Sequence, residues 1–349
     1  MALSKILTRS PYFVEVTGAL NDEIKVELFL YNDPSSVPIA PTKTLSKTIF
    51  TGTTVSFNVS PYAREYIDIT PTCLVASIYP SMNRKHYGRL KYKTYINGTL
   101  TTTVSNIYCF DGYGYFEEGY NFISSDFFLD EGTYYYYSGA VGYEGTLSLG
   151  AGANWYVKYT ETTTLVTNII SLGSTAGVKT INRVEFPTLG NKVEIFTSTH
   201  VLQATYYFLP QDECAYAPVG IDFINKYGVS QREVFWKASY QSFEVNSTPF
   251  KAMPSGIDYD TSRAINQIMN VNGKQTLKVN TGWVSESYSS TLQELMLSEQ
   301  ISVDINMDSN LIPVKLKTNS IELHKHINKK LINYTLEFEY AFDKLNNVI

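Results

Sequence analysis

Between Gly273 and Asp343 the chain constrains its own fold more tightly than anywhere else. Ile301, Val303, Ile305 and Met307 alternate with Ser302, Asp304, Asn306 and Asp308. Period-two alternation puts one set of side chains on a buried face and the other in water. The turn formers Asp308-Ser309-Asn310 follow. Val314 and Leu316 then alternate with Lys315 and Lys317, which predicts a hairpin. A longer alternation places Ile332, Tyr334, Leu336, Phe338, Tyr340 and Phe342 on one face and Asn333, Thr335, Glu337 and Glu339 on the other. One helix is predicted among these strands, over about 285–298. Val284, Tyr288, Leu292, Leu295 and Met296 make its apolar stripe. Ser285 suits its N-cap, and Thr291 with Glu294 would form a capping box if it starts late. The C-terminal unit therefore reads as a β-sandwich flanked by a single helix.

The rest of the chain reads as β too. Aromatic content is 14%, with 28 Tyr, and charged content is 17%. Tyr and Thr favour strands and wet contact surfaces. Residues 1–117 carry about seven short strand signals separated by turns, the pattern of an immunoglobulin- or fibronectin-like sandwich. They are Tyr12–Thr17, Ile24–Tyr31, Thr42–Ile49, Thr54–Val59, Thr72–Tyr79, Leu90–Ile96 and Leu100–Tyr108. Asn97-Gly98 is the sharpest hairpin mark among the turns. Ser60-Pro61 reads as a turn, and the prolines from Pro34 to Pro41 as an extended crossover. A Gly-rich stretch from Asp111 to Tyr120 suggests a boundary. Residues 118–217 form a second β-rich unit, with strands at Tyr134–Tyr137, Ala153–Tyr159, Thr163–Ile170, Lys179–Phe186, Lys192–Phe196 and Leu202–Phe208. Residues 218–349 form the third. There Ile221–Asn225, Glu233–Trp236 and Ser239–Val245 precede the module described first. Residues 246–272, with Pro249, Pro254 and several Gly, Asn and Asp, read as a long contact-making loop.

Chemistry is hard to find. Gly112 and Gly114 lack the third glycine of a dinucleotide loop, since position 117 is Glu. Gly150 and Gly152 lack it too, since position 155 is Trp. His324 and His326 share a face of a predicted strand, but no third metal ligand is nearby and Lys325, Lys329 and Lys330 repel a cation. His86 and His200 have no local acidic or nucleophilic partner. The carboxylate pairs Glu117/Glu118, Asp130/Glu131, Asp212/Glu213 and Asp258/Asp260 could in principle serve glycoside hydrolysis, but all sit at turns or loop edges. The Asp258/Asp260 pair lacks the oxygen-rich spacing of a calcium loop. Three cysteines at wide spacing (Cys73, Cys109, Cys214) indicate neither a disulfide framework nor zinc, and read as reduced, buried thiols. A net charge of −5 gives no reason to expect nucleic-acid binding. No run approaches the ~18 apolar residues of a membrane span. Residues 1–13 lack the apolar core of a signal peptide, so synthesis and folding in a cytoplasm are the expectation. No catalytic, cofactor-binding or metal-ligating residue is assigned. The aromatic clusters Tyr113/Tyr115/Phe116, Tyr134–Tyr137 and Trp155/Tyr156/Tyr159 read as core plus interface before carbohydrate stacking. Lys315, Lys317, Lys325, Lys329 and Lys330 face few acids and read as a solvated strand face, with pairing to a neighbouring subunit as the sharper alternative.

Several stretches resemble structural proteins encoded by tailed phages and prophages of Bacteroidota. They include Ser10-Pro-Tyr-Phe-Val-Glu-Val16, Val26-Glu-Leu-Phe-Leu-Tyr-Asn32, Ser60-Pro-Tyr-Ala-Arg-Glu-Tyr66 and Phe223-Ile-Asn-Lys-Tyr-Gly228 with Phe235-Trp-Lys237. Thr281-Gly-Trp-Val-Ser-Glu286 and Leu331-Ile-Asn-Tyr-Thr-Leu-Glu-Phe-Glu-Tyr340 complete the set. The third unit is also similar in plan to the tail-tube and distal-tail fold, a β-sandwich flanked by one helix. The resemblance implies a virion tail or baseplate component, assembling with copies of itself in a ring, commonly hexameric, beside other tail or baseplate proteins. It contributes no site residues. The expectation is thus a non-enzymatic structural protein of multi-domain β-sandwiches. The alternatives are a receptor- or carbohydrate-binding module using the Tyr-rich middle unit, a neck or collar ring protein, and a glycan hydrolase.

Overall fold

The computed structural model describes residues 4–32, 36–67, 87–122, 129, 132–138, 146–182, 190–211, 216–253, 257, 262, 264–308, 310–322 and 332–345. The protein is mainly β, built from several sheets, with one helix near the C-terminus and a short one near the start.

The first group of strands is β1 (Lys5–Leu7), β2 (Phe13–Thr17), β3 (Glu23–Tyr31), β4 (Lys43–Thr48), β5 (Thr54–Asn58), β6 (Tyr87–Ile96) and β7 (Thr99–Phe110). A five-stranded sheet of order β1-β7-β6-β3-β4 packs on the β2-β5 pair. Ile24, Val26 and Leu28 meet Val14, Val16 and Phe57 in the core between them. The β6–β7 hairpin turns at Asn97 and Gly98, both with positive φ, as the Asn-Gly signal predicts. The Asn97 carboxamide oxygen also accepts the Glu23 N–H (2.9 Å). Ser60-Pro61 is not a turn. It opens a short helix, α1 (Ser60–Glu65), because proline's fixed φ and missing N–H suit the first helical turn. The predicted strand Thr72–Tyr79 lies outside the described residues.

The second group is β8 (Tyr134–Ser138), β9 (Thr146–Ala151), β10 (Tyr156–Glu161), β11 (Thr167–Ser171), β12 (Gly177–Asn182), β13 (Asn191–Phe196) and β14 (Leu202–Gln211). Its sheet runs β11-β10-β13-β14-β8, and β9 pairs with β12. The strand expected from Thr163 begins only at Thr167. A turn around Leu165, whose φ is +59°, occupies the preceding residues.

The third group is β15 (Val219–Ile224), β16 (Ser230–Phe235), β17 (Tyr240–Lys251), β18 (Asn266–Val284), α2 (Tyr288–Leu297), β19 (Ile301–Asp304), β20 (Ile312–Leu316) and β21 (Ile332–Tyr340). They form one seven-stranded sheet, β16-β15-β19-β20-β21-β18-β17, with α2 laid on one face. Tyr288, Leu292 and Leu295 of α2 pack on Ile221, Phe223, Leu277, Val303, Leu336 and Phe338. Burying such side chains contributes roughly 1.5–3 kcal/mol each. The predicted stripe is therefore the packed face, with Met296 only half-buried.

Three expectations here need correction. The helix starts at Tyr288 with Ser287 as N-cap and no side-chain cap bond. Ser285 instead bonds Ser287, and Thr291 and Glu294 lie a full turn inside the helix. Second, Ser302 and Asp304 do not face water. All of Ile301–Asp304 is buried, because the second group covers that side of β19. Third, residues 246–272 are not simply a loop. β17 runs on to Lys251 and β18 begins at Asn266, paired in antiparallel register around a bulge between Asn246 and Thr248. Pro249 is tolerated because β17 is an edge strand.

Candidate assembly surface

The β17–β18 ribbon is the most exposed long strand pair among the described residues. Every residue of β17 is exposed. β18 pairs with β21 only from Thr276 to Val284. The C-terminal segment props the ribbon at its base, where the Lys344 N–H donates to the Gly273 carbonyl (2.8 Å) and the Leu345 N–H to the Asn272 side chain (3.0 Å). Beyond Asn272, the six residues 266–271 have β17 as their only strand partner, so the arm projects by roughly 20 Å. It carries large apolar side chains into solvent: Phe243, Val245, Ile268, Met269 and Val271 are 39–63% exposed, and Met253 and Ile257 at its tip are 89% and 99% exposed. An exposed apolar surface on an open strand edge is the chemistry of a contact surface.

The sheet's two edges differ. β16, at the other end, is buried against the second group. Val234 enters the second core while Phe235 and Trp236 enter the third. β8 does the converse: Tyr135 and Tyr137 fill the second core, and Tyr136 packs on Trp236 and Tyr288 at 5.6 and 6.1 Å. Tyr134, stacked on Tyr207 at 5.2 Å, is 40% exposed. The Tyr134–Tyr137 run is thus a strand wedged between two cores, with one ring of the four toward solvent.

A buried ionic cluster lies on the sheet face turned toward the second core. The Arg232 guanidinium donates to Asp222 (2.7 Å) and Asp304 (3.1 Å), with all three side chains at most 3% exposed. Burial pushes the Asp222 carboxyl up, while Arg232 pulls it down. On the opposite face, the fully buried Glu233 carboxylate accepts from Gln231 Nε2 and from the Tyr288 hydroxyl, both at 2.9 Å. It has no cationic partner among the described residues. Burial raises its pKa to about 7, against the pull of the two hydrogen bonds.

A second seam ties the first group to the third. The Tyr113 N–H donates to the Lys226 carbonyl (2.8 Å). A Cβ on Gly112 would sit 2.4 Å from that carbonyl oxygen, and one on Gly228, whose φ is +78°, 2.6 Å from the Asp111 backbone. The two backbones therefore touch only because both positions are glycine. Arg64 bridges Asp111 (2.9 Å) and Glu299 (2.7 Å), and Arg9 also reaches Glu299 (2.9 Å). Burial raises the Asp111 carboxyl, with Arg64 opposing. The Glu294 carboxylate accepts the Lys226 N–H (3.2 Å), so the residue considered for a cap pins α2 to the β15–β16 turn.

The remaining candidates are scattered. Glu118 accepts the Tyr115 N–H and pairs with Lys226 (3.1 Å), at a single 3-10 turn (Phe116–Glu118). The His200 ring lies 2.7 Å from the exposed Tyr156 hydroxyl. Cys109 is buried, and burial pushes its thiol well above the ordinary range. Lys317 pairs with Glu337 of the adjacent strand (2.8 Å), so this lysine does face an acid of its own chain. His86, His324, His326, Cys73, Cys214, Lys325, Lys329, Lys330 and the pairs Asp130/Glu131, Asp212/Glu213 and Asp258/Asp260 lie outside the described residues. No helix among the described residues is long and apolar enough to cross a membrane. No protein-family model matches the chain, and no curated protein matches it.

Proposed function

We propose that this chain is a structural component of a tailed-phage virion, a distal-tail or baseplate ring subunit that assembles with copies of itself through its C-terminal β unit. The observation that carries the reading is the projecting arm: two open-sided strands with apolar side chains in solvent, on a body held rigid by two seams. A lone subunit gains nothing by exposing such a ribbon, whereas a neighbour covering it removes apolar area from water at about 25 cal/mol per Å². The helix-flanked sheet supports the same reading through its likeness in plan to the tail-tube and distal-tail fold. A closed ring needs head-to-tail contacts, in which the arm meets a different face of the next copy. Its work is assembly, with no catalytic step.

Light scattering and electron microscopy of the purified chain test this. The intact chain forms a closed ring, with six copies expected. A variant with residues 246–272 replaced by Asn-Gly, which closes the ribbon as a short hairpin, stays monomeric. An intact chain that remains monomeric at high concentration refutes the proposal.

A further inference from the structure

We propose that a cup on the open face of the seven-stranded sheet binds an acidic saccharide, with its carboxylate held at Lys278 and its ring against Tyr240. The cup encloses about 380 Å³, within the range of small-ligand pockets. It lies where β17, β18 and β21 meet the segments around Tyr216 and Lys237, on the sheet face opposite α2.

Its polar floor is set in advance. Asn280 Nδ2 donates to Asn333 Oδ1 (2.7 Å) and to Thr335 Oγ1 (2.9 Å). Asn280 Oδ1 accepts the Gly282 N–H (2.8 Å). The Asn333 amide N–H groups and the Thr335 hydroxyl hydrogen remain as donors, beside a second lone pair on each oxygen. Lys278 adds an ammonium with no ion pair among the described residues. Glu337 stands opposite it in the register but is held by Lys317. Lys237 also lines the cup, and no carboxylate among the described residues does. The Lys278 ammonium, in a lining with no carboxylate among the described residues, favours a ligand that carries negative charge, and the mixed donor and acceptor floor favours one that carries hydroxyl groups.

The walls decide between a bare anion and a sugar. Tyr216 and Tyr240 line the cup and are 45% and 66% exposed. Trp283, outside the lining but opposite Asn333 in the register, is 57% exposed. Two open tyrosine rings thus stand at the walls of one polar floor. A flat ring whose negative face meets polarised C–H groups suits a pyranose, and phosphate or a simple carboxylate would leave it unused.

The test is calorimetric titration of the full chain with a galacturonic-acid trimer, with maltotriose and inorganic phosphate as comparison probes. The uronate trimer binds, and maltotriose and phosphate bind at least about tenfold more weakly. Lys278→Met and Tyr240→Ala each weaken uronate binding by about tenfold or more. Both residues are exposed, so an unchanged melting curve shows that the variants fold. The proposal is overturned if the uronate gives no binding, if phosphate binds as tightly, or if both variants keep the affinity of the parent. It does not rest on ring assembly: a monomeric chain that binds the uronate refutes the assembly reading alone.

Discussion

Replacing Glu233 by glutamine should stabilise the protein above neutral pH and leave it almost unchanged in mild acid. The carboxylate sits fully buried in β16, beneath α2, with two neutral donors and no cation among the described residues. Burial therefore wins over the hydrogen bonds, and its pKa rises from an ordinary 4.5 to about 7. Below pH 4.5 the folded and unfolded chains both hold the proton, and the group contributes nothing to the pH dependence. Between 4.5 and 7 the unfolded chain releases the proton first, so folding becomes steadily less favourable. Above 7 the penalty is constant, at about 3 kcal/mol. Glutamine carries no charge to desolvate. Its carbonyl can accept from Gln231 and its amide can donate to the Tyr288 oxygen, so the local bonds survive. The expected gain is about 2–3 kcal/mol at pH 8, falling below about 1 kcal/mol at pH 5. Urea unfolding followed by tryptophan fluorescence, run on parent and variant from pH 5 to 8, reads this directly, since Trp236 packs in the same core. Every other titrating group is common to both chains, so the difference curve isolates position 233. A flat difference across that range would refute the reasoning.

Two further substitutions probe the seams. Arg232→Ala leaves Asp222 and Asp304 buried together without their cation, and should cost about 3–5 kcal/mol in the same urea assay. Tyr136→Ala empties the contact between β8 and the Trp236–Tyr288 pair; a loss of about 3–5 kcal/mol is expected, with faster proteolysis between the second and third strand groups.

How much of this was readable beforehand depended on what covers each strand. β21 was plain because one side packs on α2 and the other meets solvent, so Ile332, Tyr334, Leu336, Phe338 and Tyr340 alternate cleanly. β19 carries a similar pattern but is covered on both sides, and Asp304 reads as a surface residue until Arg232, distant in sequence, is brought to it. The arm gave the opposite problem. Strands that stand in water have no buried side to mark, and Pro249 argues against a strand, so the segment's ribbon form does not show in the sequence. The seam of Arg9, Arg64 and Glu299 and the cup around Asn280 draw on segments far apart in the chain. No local pattern announces such meetings.

The inequality of the sheet's two ends limits how copies can grow. A brick with two bare flanks has a valence of two and can stack without end into a fibre. Here β16 is capped by the molecule's own second group, so β17 is the sheet's bare flank, and β18 adds a second bare edge only along the arm, from Asn266 to Gln275. Joined along β17 alone, copies stop at a pair. Any larger particle must use a further surface, either the short β18 edge of the arm or another face of the subunit.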